Sequence, residues 1–176
     1  MSKGTVLILA AADYEEMELW YPKYRLAAAG YDTPIAGTGD PKYIGKWGYP
    51  CPVDGNVRDF MSDTLAGILV PGGWAPDRLR RDQAVLSRVR EVHENGGLVA
   101  SICHGPWVLI SAGIVKGRHL TSTPAIKDDL VNAGATWTDE EVVVDGNIIT
   151  SRAPSTSASC LATPASRSTA FASTPW

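Results

Sequence analysis

The sequence predicts an α/β fold, a three-layer sandwich in which a mostly parallel β-sheet carries helices on both faces. Short β-branched apolar runs alternate along the chain with segments of helical periodicity, which is the pattern of a parallel sheet with crossover helices. The strand-like runs are continuously apolar, as expected for strands covered on both sides. With 176 residues, of which 44% are hydrophobic and 20% charged, the chain suits one domain with a full core.

The first part of the chain predicts two strands and a helix. Residues 5–10 form an apolar, β-branched run and are expected to be a buried strand. A helix is expected over residues 15–29, in which Pro22 should introduce a kink or limit the first turn. Residues 32–36 can form a second strand, and the Gly- and Pro-rich segment 37–60 is expected to hold loops with short strands.

The second part of the chain continues this alternation. Its predicted elements are a strand at 65–70, a helix at 83–95 with Asp82 as N-cap, a strand at 98–102, and helices at 103–111 and 128–133. Residues 142–150 predict a hairpin in which Asp145 and Gly146 supply a type I′ turn. One antiparallel element is therefore expected to join the parallel sheet.

Charge and cysteine content exclude several classes of protein. The net charge of -3 argues against a binder of nucleic acid or anionic membrane that works by bulk charge. No stretch approaches the roughly 20 apolar residues that span a bilayer, so a cytoplasmic location is expected. The three cysteines (Cys51, Cys103 and Cys160) lie far apart without a CxxC pair, and we expect neither a metal site nor a disulfide framework.

The strongest chemical signal is the segment 98–106. A buried strand ends at Cys103 and a helix follows at once, which is the strand–turn–helix geometry of a nucleophile elbow. A cysteine at a helix N-terminus is expected to have a lowered pKa, and Gly105 allows a tight turn. His104 is a candidate general base or acid, although adjacency in sequence does not establish a hydrogen bond to Cys103. The alternative for Cys103 is an inert, buried core thiol.

Two further strand ends are expected to lie beside this cysteine. Gly73, in the turn at residues 71–73, and His104 are candidates to offer backbone N–H groups to a developing oxyanion. Acidic residues follow the first strand and begin its helix: Asp13, Glu15, Glu16 and Glu18. Most of these acids are explained by the positive end of the helix dipole. Glu15 is the best-placed candidate for a carboxyl beside Cys103, where burial would favour its protonated form.

At this point the chain resembles the ThiJ/PfpI superfamily, which shares the flavodoxin-like, class I glutamine amidotransferase-like fold. It is most similar to the PfpI-type intracellular cysteine proteases, over about residues 3–154. The resemblance is carried, in order, by ADYEEMEL (12–19), YP (21–22), GKWGY (45–49), VPGGWAPD (70–77), ASICHGP (100–106), IKDD (126–129), NAG (132–134) and VVDGN (143–147).

The resemblance implies roles for four residues. Cys103 would be the nucleophile, His104 its neighbour in the catalytic set, and Glu15 the carboxyl that contacts the cysteine. PfpI-like members complete a triad with a glutamate from an adjacent subunit, and Asp77 stands at that position here. The resemblance further implies that no cofactor is needed and that the chain forms a homodimer or a homohexamer.

The activities of this family are described as peptidase, glyoxalase, deglycase, isonitrile hydratase and chaperone. A compact site with a cysteine beside a carboxyl favours a glyoxalase or deglycase acting on reactive carbonyls, either free or on protein, in protection against stress. The alternatives are a PfpI-type peptidase active as an oligomer and a non-enzymatic, redox-sensing or chaperone-like stress protein.

The end of the chain departs from the family pattern. Residues 155–176 are rich in Ser, Thr, Ala and Pro and contain a single charged side chain, Arg167, which is typical of disorder. Relatives continue here into an amphipathic helix. We hypothesise that a reading-frame shift near residue 155 replaced this helix; the alternative is a natural flexible tail. The predicted domain is therefore 1–154.

Overall fold

A computed structural model describes residues 2–156 of the chain. Its strands are β1 (Thr5–Leu9), β2 (Ile35–Gly37), β3 (Lys42–Ile44), β4 (Pro50–Pro52), β5 (Gly55–Asn56), β6 (Leu65–Val70), β7 (Leu98–Ile102), β8 (His119–Leu120), β9 (Thr136–Trp137), β10 (Val142–Asp145) and β11 (Ile148–Ser151). Its α-helices are α1 (Glu16–Ala28), α2 (Ala75–Leu79), α3 (Gln83–Glu94), α4 (Pro106–Ala112) and α5 (Lys127–Asn132).

Seven of the strands form the central sheet, in the order β10–β11–β7–β6–β1–β2–β5. Every pairing in this sheet is parallel except that of β10 with β11. β3 pairs with β4, and β8 with β9, in two small separate sheets. The predicted α/β fold with a mostly parallel sheet is confirmed.

The path of the chain through the sheet distributes the helices and locates a crevice. From β1 the chain passes through α1 to β2 on one side, and from β6 it passes through α3 to β7 on the other. Because such crossovers are right-handed, the opposite directions of travel put α1 on one face and α3 on the other. The reversal between the neighbouring strands β1 and β6 is a topological switch point, and ligands bind at the carboxyl ends of such strands.

The core lies where β1, β6 and β7 run side by side. Leu7, Ile8 and Leu9 of β1 are fully buried, as their position in the middle of the covered sheet requires. From the other side, α3 inserts Val85 and Val89, which are four residues apart and share one helical face. Full burial of each such side chain contributes about 2 kcal/mol, so the central strands are held firmly beneath the crevice.

Helix α1 continues through Pro22, so this proline neither ends the helix nor confines it to a first turn. Its ring removes a single N–H group from the helical hydrogen-bond ladder. Glu18, Pro22 and Leu26 are spaced by four residues and form one buried stripe on α1. An acidic side chain therefore lies on the face that packs against the rest of the protein.

Some local features of the structure differ from the sequence predictions: α4, for example, begins at Pro106 instead of residue 103. The short helix α2 and the small β8–β9 sheet were not predicted. The loop of the β10–β11 hairpin consists of Gly146 and Asn147, because Asp145 pairs with Ile148. Only Gly146 of these two has a positive φ, which fits a type II′ turn and corrects the expected type I′ turn.

The predicted tail at residues 155–176 lies outside the described residues from position 157 onward, and the domain limit at residue 154 stays a prediction. Among the helices of the described range, none is both long and apolar enough to cross a membrane.

Candidate active site

The turn between β7 and α4 has the geometry of a nucleophile elbow. Cys103 has a φ of 59°, in the left-handed region that residues other than glycine rarely adopt. A Cβ atom on Gly105 would lie 2.4 Å from Ser101 Oγ and 2.5 Å from the Val70 carbonyl oxygen, so only glycine fits there. The strand–turn–helix arrangement predicted around Cys103 is present, and it holds the cysteine in a strained conformation.

The turns that follow β1 and β6 pair with each other beside this elbow. The Glu15 N–H donates to the Gly72 carbonyl at 3.2 Å, and the Trp74 N–H donates to the Asp13 carbonyl at 2.9 Å. A Cβ atom on Gly72 would lie 2.9 Å from Cys103 Cβ, which shows how closely the two turns approach. The site therefore lies at the topological switch point, at the carboxyl ends of three adjacent strands.

The carboxyl beside the cysteine belongs to Glu18, which corrects the expectation that Glu15 contacts Cys103. Glu18 is fully buried, and its Oε2 accepts a hydrogen bond of 2.6 Å from the Gly72 N–H. Its side chain also lies within hydrogen-bonding reach of the Cys103 sulfur. Glu15 precedes the first turn of α1 and instead forms an ion pair with Lys46.

His104 lies directly against Cys103. Its Nδ1 is 3.2 Å from the Cys103 sulfur, a contact that sequence adjacency alone left open. The imidazole ring lies near two indoles, with its centroid 6.0 Å from that of Trp74 and 5.2 Å from that of Trp107. Burial lowers the pKa of His104, because an imidazolium is disfavoured away from water. The ring is therefore neutral near pH 7 and can accept a proton.

The ionisation of Cys103 differs from the prediction. The helix N-terminus was expected to lower the pKa of the thiol, but burial, together with the nearby Glu18, raises it to about 12. Burial likewise raises the pKa of Glu18 from 4.5 to about 8. The two groups form a coupled pair that still holds both protons near neutral pH. Only the hydrogen bond from the His104 N–H and the Lys46 charge favour the thiolate.

The two candidate oxyanion donors lie on adjacent turns. The His104 backbone N–H points at the Cys103 sulfur. Gly73 sits opposite Tyr14 in a bridge whose two hydrogen bonds are made by other residues, so its own N–H is not used in that bridge. The Gly72 N–H is already bound to Glu18, which leaves Gly73 as the donor of this turn.

Asp77, the predicted inter-subunit acid, lies on the short helix α2. Its carboxylate is ion-paired with Arg81, one turn further along the chain, and its side chain is 41% exposed. Within a single chain it is therefore placed outside the group formed by Cys103, His104 and Glu18.

The sequence analysis named Glu18 among the acids after β1 but did not place it beside Cys103, and it gave Lys46 no role. The signal for Glu18 was available, because it shares a four-residue spacing with Pro22 and Leu26 on the buried face of α1. Lys46 offered no such signal, since it belongs to a loop far along the chain that folds back onto α1. Among residues 2–156, no group of three or more His, Cys, Asp or Glu side chains is arranged to hold a metal ion.

Comparison with known proteins identifies relatives over most of the chain. The model of the DJ-1/PfpI family matches residues 4–162. A deglycase from Pyrococcus horikoshii is 45% identical over 149 residues, which cover 85% of this chain and 90% of that protein. The deglycase PfpI of Pyrococcus furiosus is 43% identical over 149 residues with the same coverage of both chains.

Solved structures show the same likeness. The crystal structure of Drosophila melanogaster DJ-1beta superposes with a TM-score of 0.85 at 33% sequence identity. That match covers 92% of this chain and 88% of the other.

Proposed function

This chain belongs to the DJ-1/PfpI family, and from that premise we propose that it is a cofactor-independent deglycase that removes reactive dicarbonyl adducts, with Cys103 as its nucleophile. The observation that carries the proposal is the placement of Cys103 on a strained elbow between a buried carboxyl and a neutral imidazole. Relatives named deglycases, at 43% to 45% identity, support the same activity.

The first step is the attack of the sulfur on the adduct. His104 Nδ1, 3.2 Å from the sulfur, accepts the thiol proton as a bond forms between Sγ and the former aldehyde carbon. The bond between that carbon and the amine of the modified side chain breaks, and Glu18, protonated near neutral pH, supplies a proton to the departing amine. The product of this step is a hemithioacetal on Cys103 and a repaired amine.

The second step moves a hydrogen within the bound fragment. A base of the site removes the proton from the carbon bonded to sulfur, and a proton is returned to the neighbouring ketone carbon. The first carbon is thereby oxidised to a thioester while its neighbour is reduced to an alcohol. The electrons stay within the fragment, so neither an external oxidant nor a cofactor is required.

The third step releases the product. Water attacks the thioester carbon, the bond to sulfur breaks, and a 2-hydroxy acid leaves while Cys103 regains its proton. During attack and hydrolysis we expect the N–H groups of Gly73 and His104 to stabilise the negative oxygen. Over the three steps, one adduct and one water give one free amine and one hydroxy acid.

The test uses serum albumin glycated with methylglyoxal and freed of unbound reagent by desalting. Wild-type protein should release lactate and restore free amines, whereas Cys103→Ala should do neither beyond the buffer rate. Free methylglyoxal, assayed separately, distinguishes a deglycase from a glyoxalase that acts only on spontaneously released dicarbonyl. If wild-type protein restores no more amines and releases no more lactate from glycated albumin than Cys103→Ala, the deglycase proposal is wrong; turnover of free methylglyoxal alone would identify a glyoxalase instead.

The peptidase alternative needs Asp77 to reach a neighbouring subunit. Its ion pair with Arg81, which lies just beyond the end of α2 in the same chain, disfavours that role. Casein hydrolysis measured on size-separated fractions would test it. A redox-sensing or chaperone role stays a prediction. Oxidation of Cys103 without turnover of any carbonyl substrate would favour it.

We propose a homodimer or homohexamer as the working assembly, in a cytoplasmic setting. Support comes from an exposed apolar surface at α1 and at residues 45–49 between β3 and β4, where Met17, Tyr24, Trp47 and Tyr49 are each more than half exposed. Exposed patches of this kind mark association surfaces. Light scattering coupled to gel filtration gives the molar mass, and a monomer at all concentrations would contradict the assembly.

A further inference from the structure

The loop between β3 and β4 (residues 45–49, here the β3–β4 loop) is fastened to the start of α1. The Trp47 N–H donates to Glu16 Oε1 at 2.8 Å. The Lys46 N–H donates to the Tyr14 carbonyl at 3.0 Å. These bonds fix the backbone of Lys46 at the carboxyl end of β1, next to the turns that build the site.

The side chain of Lys46 is held by a buried acid. Its Nζ forms an ion pair with Glu15, whose side chain is 6% exposed, while the Lys46 side chain is 37% exposed. Glu15 is in turn anchored by its backbone N–H to the Gly72 carbonyl. An ion pair between an exposed lysine and a mobile surface acid contributes little to stability or to the local electrostatic field. The Lys46 ammonium differs because its partner, Glu15, is buried and fixed in position.

The ammonium acts on each titratable group of the site. The groups facing it are Glu15, Glu18, Cys103 and His104. Its positive charge favours the ionised forms of Glu18 and Cys103 and lowers the pKa of both, and it disfavours the imidazolium of His104. It therefore opposes the burial that makes the cysteine a weak acid.

We propose that Lys46 is a positioning residue for the nucleophile: fixed by Glu15 and by the β3–β4 loop, its ammonium offsets the negative charge that forms when the Cys103–Glu18 pair loses its first proton. The inference rests on the proposed function only in taking Cys103 as the reacting group. It adds Lys46, from a loop distant in sequence, to the candidate active site. It also assigns a role to Glu15, which is to hold the Lys46 ammonium in place.

The experiment measures the rate of alkylation of Cys103 by iodoacetamide, a neutral reagent, from about pH 6 to about pH 10, with the modified peptide quantified by mass spectrometry. This range lies below the pKa of about 12 of the thiol, so a shift of the midpoint is read as the displacement of the log-rate profile along the pH axis. Lys46→Met keeps the length of the side chain and removes the charge. We expect the midpoint of its rate profile to rise by at least about half a pH unit, which slows alkylation about threefold at pH 7. Lys46→Arg keeps the charge and should leave the midpoint within about 0.2 units of wild type.

Two controls separate this effect from others. Lys42→Met removes an exposed lysine from the same hairpin and should leave the midpoint unchanged, since bulk charge is not the cause. Circular dichroism checks the fold, and Lys46→Gln replaces Lys46→Met if the latter is unfolded.

An unchanged midpoint in the uncharged Lys46 variant overturns the inference, as does an equal shift in Lys42→Met or a Cys103 that is not alkylated at any pH. Because no carbonyl substrate is used, a shifted midpoint in a protein without deglycase activity would keep this inference and reject the proposed function.

Discussion

Replacing Glu18 by glutamine measures the free-energy cost of keeping an acid buried against Cys103. In the folded protein burial raises the pKa of Glu18 from 4.5 to about 8, whereas in the unfolded chain it returns to its ordinary value. Between these two values the folded state holds a proton that the unfolded state releases, so the free energy of unfolding falls as pH rises. Glutamine has nearly the same shape, and its carbonyl oxygen can accept the bond from the Gly72 N–H.

The size of the change in the free energy of unfolding follows from the shift in the pKa of Glu18. One pKa unit corresponds to about 1.4 kcal/mol, so wild type should lose about 3 kcal/mol relative to Glu18→Gln between about pH 5 and about pH 7.5. The loss begins above the unfolded pKa and ends near the folded pKa, where both states have released the proton. Cys103, with a pKa of about 12, does not titrate in this window.

Urea unfolding followed by tryptophan fluorescence gives the free energy of unfolding of both proteins at a series of pH values. Protein concentration is held constant, because association would shift the apparent stability. Glu94→Gln, an exposed acid on α3, serves as the matched control and should follow wild type at every pH. A constant difference in stability between wild type and Glu18→Gln across the pH range would refute the reasoning.

Two other substitutions test the turn at Cys103 and the indole of Trp74 beside His104. Gly105→Ala places a Cβ atom 2.4 Å from Ser101 Oγ and 2.5 Å from the Val70 carbonyl, and it should lower the free energy of unfolding by about 3 kcal/mol in urea titrations. A loss below about 0.5 kcal/mol would mean that the turn can relax. Trp74→Ala exposes the His104 ring, so the pKa of this histidine should rise towards its ordinary value in an NMR titration. An unchanged titration would show that the indole does not shield the ring.

The order of strands and helices could be predicted from the sequence because burial imposes a simple pattern. A strand covered on both faces must be apolar throughout, and the predicted strands at 65–70 and 98–102 match β6 and β7. The elbow was equally visible, since a cysteine that ends a buried strand and is followed at once by a helix is typical of this turn. Strands and turns of this kind can be recognised from residues that are neighbours in the sequence.

The identity of the buried carboxyl was missed for a different reason. Four acids follow β1, and attraction to the helix dipole accounts for most of them, so the local pattern does not separate one from the others; Glu15 was preferred as the best-placed candidate and from the family resemblance. The helix instead turns Glu18 inward, together with Pro22 and Leu26. Attention to helical periodicity, which usually marks apolar residues, would have identified the acid.

Contacts between distant segments could not be predicted from local patterns. Lys46 meets Glu15 because Glu16 binds the amide of Trp47, and this bond depends on the folded path of the β3–β4 loop. The predicted turn type of the last hairpin was wrong for a related reason. Asn147 donates side-chain hydrogen bonds to the carbonyls of His93 and Gly97, and this tertiary contact fixes its backbone.

The left-handed backbone of Cys103 has a consequence for which residue suits this position. A side chain in this conformation costs about 1 kcal/mol or more, and glycine would adopt it without the steric penalty. If Cys103 is the nucleophile that we propose, folding and activity favour different residues at position 103. Glycine would relieve the strain of the turn, whereas only cysteine would supply the reacting sulfur. Cys103→Gly is therefore expected to stabilise the turn while it abolishes the proposed activity.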